Sequence, residues 1–329
     1  MNLIAVLIAR DEAATLPTCL SSLGGVVDGV HVHDTGSTDD TVAVARSLGA
    51  TVSAGAWTGD FAAARNAAVT ASGAAGWVLS IDADERLHAH PGRLRALLDG
   101  DSPTAFLVEI DNRHDELPYT FQTARLFRPA ALRWTGRVHE HLSPAGDHPA
   151  APRDTIRLEH AGYADPGERH RKATRNAALA QATLDELARQ RQPDPEAVAG
   201  TLLDLGRSFA GAGRSQDAVN AFETLRELCP GTRQSVLGTD ALARLLLGAG
   251  LDDAVVALVA QLRAANVESQ YCDWLEAQAL AQLGRVEEAW RLLRGVRAVV
   301  DPAGRRYPPA RLAELKELLS RLVGAGSRG

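Results

Sequence analysis

Gly76-Trp77-Val78-Leu79-Ser80-Ile81-Asp82-Ala83-Asp84-Glu85 closes a short, mainly apolar run with three carboxylates. The run is too short for a globular helix and follows small residues, so it reads as an inner strand of a parallel sheet. In open α/β sheets ligands gather outside the carboxyl ends of the strands, which puts Asp82 and Asp84 where a crevice opens. Alternate residues of an extended backbone point the same way, so the two carboxylates share a side. Hard oxygen donors so placed suit Mg²⁺ or Mn²⁺, which are commonly shared with substrate phosphates rather than caged by protein alone. The plain alternative is a solvated turn that starts a helix, with Glu85 near its beginning and Pro91 beyond.

Upstream, Leu3-Ile4-Ala5-Val6-Leu7-Ile8-Ala9 is a second buried-strand pattern running directly into Arg10-Asp11-Glu12. A helix is expected from about Thr15 to Leu23. Gly29-Val30-His31-Val32-His33-Asp34 is a further strand, and it ends in the polar turn Thr35-Gly36-Ser37-Thr38-Asp39-Asp40-Thr41 before a helix from Val42 to Leu48. Gly36 permits a tight or left-handed backbone, Ser37 or Thr38 stands where a helix cap is needed, and Asp34 stays at the strand tip. Taken singly, each is an ordinary strand-to-helix turn. Their place on the same sheet edge as Asp82 favours a binding site.

Phe61-Ala62-Ala63-Ala64-Arg65-Asn66 then opens a helix, and Arg125-Leu126-Phe127-Arg128, Trp134-Thr135-Gly136-Arg137-Val138-His139-Glu140 and His160-Ala161-Gly162-Tyr163 follow. With the motifs above, this order resembles glycosyltransferase family 2, and in particular a branch that often carries tetratricopeptide repeats. The resemblance implies an α/β GT-A domain binding a nucleotide-sugar over residues 1–165. It implies a metal-dependent transfer, inverting in most of that family, from a nucleoside diphosphate donor (a UDP-sugar foremost) to a peptide, glycan or small molecule. Ala9, Arg10, Glu12, Asp34, Arg65 and Asp82 would bind the donor nucleotide, Asp34 at the base, Asp82 at the ribose and Arg65 close by. Asp84 and His160 would hold Mn²⁺ or Mg²⁺, with Glu85, Trp134 and His139 as support. The family's usual acidic base motif is replaced by His139-Glu140, which makes Glu140 the candidate catalytic base. These roles are chemically coherent, since carboxylates accept from a base N–H or a ribose hydroxyl while cations offset the charge that develops on the leaving diphosphate. Donor and acceptor choice is expected to lie in loops such as Asp111 to Thr120.

Beyond about Pro166 the composition turns to Ala, Leu, Arg, Glu and Gln with helical periodicity, so an all-α domain is expected over residues 166–329. Gly167 to Gln190 reads as one long helix stopped before Pro193 and Pro195. Gly213, Gly250 and Gly284 recur at close to one tetratricopeptide unit. The first unit is marked by Leu205-Gly206, Phe209, Gly213, Ala218, Phe222 and Pro230. The second reads as degenerate, with its turn one residue shorter, and Pro309 to Leu322 forms a cap. Such stacks offer a surface to a protein partner or for self-association.

The chain has 329 residues and a formal charge of −6, enough for two cores and against a general nucleic-acid surface. No apolar stretch approaches a membrane span, and the opening strand carries no basic leader, so a cytoplasmic protein is expected. Cys19, Cys229 and Cys272 are far apart, without metal-ligand spacing, and read as buried thiols. Two other functions fit parts of the pattern. A nucleotidylyltransferase would usually carry a glycine-rich basic loop after the first strand, where Ala9-Arg10-Asp11-Glu12 stands instead. A repeat scaffold with an inactive transferase domain would have no need to keep Asp34, Arg65, Asp82 and Asp84 together.

Overall fold

A computed structural model describes residues 2–99, 103–112, 118–160 and 166–326. The chain forms two compact units, residues 1–164 and 165–329.

The first unit starts with four parallel strands, β1 (Leu3–Ala9), β2 (Gly29–Asp34), β3 (Thr51–Ala54) and β4 (Trp77–Ser80), joined by α1 (Leu16–Leu23), α2 (Thr41–Ser47) and α3 (Phe61–Ser72). Both faces of β1 are covered, which is why its sequence is apolar without alternation. Leu3, Ala5 and Leu7 enter a core with α1, while Val6 enters another with Ala62, Ala68 and Phe127. Helix α3 has sharp ends: the Asp60 carboxylate accepts from Ala63 N–H at 2.8 Å, and Gly73 leaves the helix at φ 63°.

The chain continues through β5 (Glu85–Ala89), α4 (Pro91–Leu98), β6 (Ala105–Asn112), β7 (Tyr119–Phe127), β8 (Arg133–Thr135), β9 (His141–Ser143) and β10 (Ile156–His160). These extend the sheet to eight mixed strands in the order β3-β2-β1-β4-β7-β6-β10-β5, with β8 and β9 as a separate hairpin. Glu85 therefore begins a strand, not a helix. It pairs antiparallel with β10, and Glu85 faces His160 in register.

The second unit comprises α5 (Pro166–Ala188), α6 (Pro195–Gly211), α7 (Ser215–Leu228), α8 (Arg233–Gly248), α9 (Asp252–Ala264), α10 (Ser269–Gln282), α11 (Val286–Leu293) and α12 (Pro309–Gly326). Neighbouring helices pack in sequence, and α6 also packs on α8. Gly206 is required by that packing, since a Cβ there would lie 2.4 Å from the Phe222 ring. The second repeat is not short in its turn. Residues 212–214, 249–251 and 283–285 are turns of equal length, and the second repeat instead has the longer helix, 16 residues in α8 against 14 in α10. Among the described residues no helix is long and apolar enough to cross a membrane. All three cysteines are buried and free.

Candidate active site

The carboxyl ends of β1, β2 and β4 meet on one edge of the sheet, and side chains lock their turns together. The Ala9 carbonyl accepts from the Thr35 N–H at 2.9 Å and the Thr35 hydroxyl at 3.2 Å. Asp11, at φ 55°, accepts at Oδ1 from the Thr38 N–H at 2.7 Å, and its own N–H donates to Ser37 Oγ at 2.9 Å. Ser37 and Thr38 thus tie two loops rather than cap α2, whose first residue has no side-chain cap. Glu12 donates its N–H to Thr41 Oγ1 at 2.7 Å and accepts from the Thr15 hydroxyl at 2.5 Å. Arg10 is exposed, with Asp11 at 3.9 Å. Asp34 is buried, and its carboxylate accepts from the N–H groups of Gly36 and Ser37 at 3.2 Å, which fixes its orientation at the strand tip.

A chain of alternating charges runs behind this edge. Arg65, on the second turn of α3, is 7% exposed; it donates from Nε to Glu140 Oε1 at 2.5 Å, from Nη2 to Asp82 Oδ1 at 2.7 Å and from Nη1 to Ser80 Oγ at 3.2 Å. Its guanidinium lies 5.2 Å from the centre of the Trp134 ring. Asp82 Oδ2 accepts from Arg125 Nη2 at 2.9 Å, and the same nitrogen reaches Glu85 Oε1 at 3.0 Å. Glu85 Oε2 in turn accepts from the Asp82 N–H at 2.8 Å. The order is Glu140, Arg65, Asp82, Arg125, Glu85. Burial works against a charged Asp82, but the two guanidinium groups outweigh it and hold the carboxyl well below its usual range. Glu85 is 2% exposed, and burial pushes its carboxyl up to about 7 despite Arg125.

Asp84 and His160 are brought together by the pairing of β10 with β5, in which Glu85 stands opposite His160. Asp84 Oδ2 stands 3.3 Å from His160 Nε2, while His160 Nδ1 lies 2.9 Å from Asn112 Oδ1. With the Asn112 oxygen against it, Nδ1 carries a proton and Nε2 faces the carboxylate, where a proton or a metal cation completes the contact. Burial favours the neutral ring, yet Asp84 raises the His160 pKa overall. Among the described residues no set of three or more His, Cys, Asp or Glu side chains is gathered for a metal. A two-residue donor set fits Mn²⁺ or Mg²⁺ that takes its other ligands from phosphate and water.

The structure adds residues to the sequence-derived set. Arg125 links Asp82 to Glu85, although only its motif stood out in the sequence. Asn66 holds the Trp134 backbone twice, donating from Nδ2 to the carbonyl at 2.8 Å and accepting the N–H at 3.0 Å. With the Phe61 N–H on the Arg137 carbonyl at 3.0 Å, this fixes the β8–β9 hairpin against α3 and delivers Glu140 to Arg65. Gly136 at φ 97° and His139 at φ 52° make the turn between. His139 shapes that backbone. Residues 161–163 of the last motif, and 113–117 of the expected specificity loop, lie outside the described residues.

Residues 4–142 match the family described as Glycosyl transferase family 2. A TPR repeat-containing protein of Synechococcus elongatus is 42% identical over 41% of this chain and 34% of its own length. An uncharacterized glycosyltransferase of Rickettsia felis is 41% identical over 25% of this chain and 29% of its own length. The chain thus spans about a third of these relatives. Glucosyl-3-phosphoglycerate synthase from Mycobacterium tuberculosis, solved with Mn²⁺, UDP and glucosyl-3-phosphoglycerate, is 29% identical over 34% of this chain and 44% of that one, with a TM-score of 0.27. By the match at residues 4–142, the first unit belongs to glycosyl transferase family 2, with a GT-A sheet, and tetratricopeptide-like helical repeats follow it in the chain.

Proposed function

We propose that the first unit is a metal-dependent glycosyltransferase that moves a sugar from a nucleoside diphosphate donor, foremost a UDP-sugar, to a peptide, glycan or small-molecule acceptor with inversion. The observation that carries this reading is the Asp84–His160 pair standing beside the Glu140–Arg65–Asp82 chain at the carboxyl edge of a family 2 sheet.

Asp34, oriented by two backbone N–H groups, accepts from a nucleobase N–H, as uracil offers. Asp82, kept ionised by two arginines, accepts from a ribose hydroxyl. Ala9, Arg10 and Glu12 line the donor site from the end of β1. Asp84 and His160 would hold Mn²⁺ or Mg²⁺, which would supply positive charge to offset that of the diphosphate. Attack by the acceptor hydroxyl forms the new bond to the anomeric carbon, the bond to the diphosphate oxygen breaks with its electron pair, and Glu140 takes the acceptor's proton. Arg65 fixes Glu140 through Oε1. The 2.5 Å contact also favours a second reading, in which Glu140 only positions Arg65. The protein acts in the cytoplasm in this proposal, and the helical repeats serve a partner or self-association.

Calorimetric titration with UDP, in Mn²⁺ and then in chelator, tests the site. Mn²⁺-dependent binding is expected; no binding in either condition would overturn the UDP donor reading.

A further inference from the structure

The eight-stranded sheet ends in two edge strands, β5 and β3, and only β5 is guarded. Its Leu87 N–H points outward and donates to Ser22 Oγ of α1 at 2.9 Å, Arg86 stands exposed, and Pro91 follows the strand. Charge, proline and a covering helix are means by which an edge is kept from pairing with another chain. The stretch around β3 is different: from Leu48 to Gly59 it carries neither charge nor proline. Gly55 donates its N–H to the Asp34 carbonyl at 2.9 Å, and this sets the alternation of the strand. Thr51, Ser53 and Gly55 turn their N–H and C=O groups toward β2, so Val52 and Ala54 turn theirs outward. Among the described residues no strand lies beyond β3 to receive them, and no side chain bonds to the backbone of Val52 or Ala54.

Outward groups on alternate residues repeat at the spacing of an antiparallel ladder, and a two-fold axis through the middle of β3 makes them their own complement. We propose that β3 pairs antiparallel with β3 of a second copy of this chain, Val52 of each opposite Ala54 of the other and Ser53 opposite Ser53. Each Val52–Ala54 couple then exchanges both of its N–H···O bonds, which satisfies every outward group of the strand. Antiparallel pairing also sets the start of one strand beside the end of the other. Leu48, 46% exposed, stands before β3, and the half-buried Trp57 stands after it with its ring centre 4.8 Å from that of Phe61. The Leu48 end of each copy is thus brought to the Trp57 end of the other, where apolar surface meets apolar surface. A foreign peptide added to an edge is selected by pockets for its alternate side chains. An uncharged strand with apolar residues at both ends fits its own copy better. Hydrogen bonds between His31 and Thr51, and from Ser53 to both His31 and His33, hold β3 in this conformation before a partner arrives.

Sugar transfer plays no part in this pairing. The test is sedimentation equilibrium of the full chain from micromolar to submillimolar concentration, joined to hydrogen exchange read by mass spectrometry. A monomer–dimer equilibrium is expected, with the amides of Val52 and Ala54 exchanging more slowly as concentration rises. Ala54→Pro removes an outward N–H from each copy at an edge position where proline is tolerated. It is expected to weaken the dimer at least about tenfold, since a bond is lost on each side of the axis, while the first unit melts as in the native chain. Ala54→Lys keeps the N–H and sets like charges on diagonal neighbours of the ladder, and it too is expected to weaken the dimer. Ala54→Thr keeps both the N–H and the neutrality and is expected to leave the dimer unchanged. If Ala54→Pro lowers the melting temperature, Ala54→Lys alone decides. A monomer at every concentration overturns the proposal. A dimer that neither Ala54→Pro nor Ala54→Lys weakens overturns it too, because self-association then lies elsewhere in the chain, and so do Val52 and Ala54 amides whose exchange ignores concentration.

Discussion

In the first unit Arg65 and Arg125 each lie between two carboxylates, whereas in the second Arg244 is so held and Arg207, at the equivalent repeat position, is not. The pairing in the first unit fixes geometry in advance: Asp82 cannot rotate away from two guanidinium groups, and Glu140 cannot leave Arg65 without stranding a buried charge. The unpaired cation in the second unit is tied to no hydrogen-bond or ion-pair partner among the described residues. A buried network that is fully satisfied positions a site, while an unpaired side chain is free to choose its rotamer.

The comparison breaks most sharply at Glu140. If it is the base, Glu140→Gln slows transfer by about 10²–10⁴-fold and spares UDP binding; transfer at the native rate would leave Glu140 only its hold on Arg65. Arg125→Met should destabilise the first unit by about 3–5 kcal/mol, since it leaves Glu85 buried against Asp82 without its countercharge. Adding Glu85→Gln should recover much of that loss in a calorimetric melt. Recovery of nothing would mean that Arg125 stabilises by packing alone. Asp84→Asn should weaken Mn²⁺-dependent UDP binding about 100-fold, in line with the sensitivity of metal sites to their ligands and supports, and should leave the melting of the helical unit unchanged.

What could be read in the sequence follows the range of each interaction. Strand ends and turns were legible because hydrophobic runs and turn chemistry are local, so the places of Asp34, Asp82 and Asp84 at the strand ends could be read. Arg125 was not, because its value depends on β7 pairing beside β4, a contact between segments over forty residues apart. Glu85 invited a helix, since its burial comes from pairing with β10 rather than from its neighbours in sequence. Asn66 gave no signal beyond its motif, as its partner is the backbone of Trp134. In the repeats, Gly206 was legible as a small residue, but the isolation of Arg207 was not, because it depends on carboxylates of α8 and of the segment before α12 being engaged elsewhere.

The two units should also differ in acid, more modestly. Between β2 and β3, Thr51 donates its hydroxyl to the Val30 carbonyl, so its oxygen accepts from His31 Nδ1 at 2.9 Å. His31 Nε2 then accepts from the Ser53 hydroxyl at 2.8 Å, and Ser53 in turn accepts from His33 Nδ1 at 2.8 Å. This relay is complete with both rings neutral, and burial lowers both pKa values, with Asp34 opposing only in part at His33. A base whose pKa is depressed by folding binds fewer protons in the native state, so stability falls as pH drops below the ordinary histidine value of about 6.5. Asp240 in the second unit has the opposite sign. Burial raises its pKa, so the folded state takes up a proton that the unfolded chain does not, and that contribution grows as pH falls toward the ordinary carboxyl range. Glu85, pushed up to about 7 by burial, and His160, raised beside Asp84, take up protons more readily in the folded state and oppose the relay within the same unit. The relay's share is therefore read as a difference: in calorimetric scans from pH 7 to pH 5 the first unit of His31→Gln should lose less stability, or gain more, than that of the native chain, and identical pH dependences would mean that the relay does not contribute to the acid response.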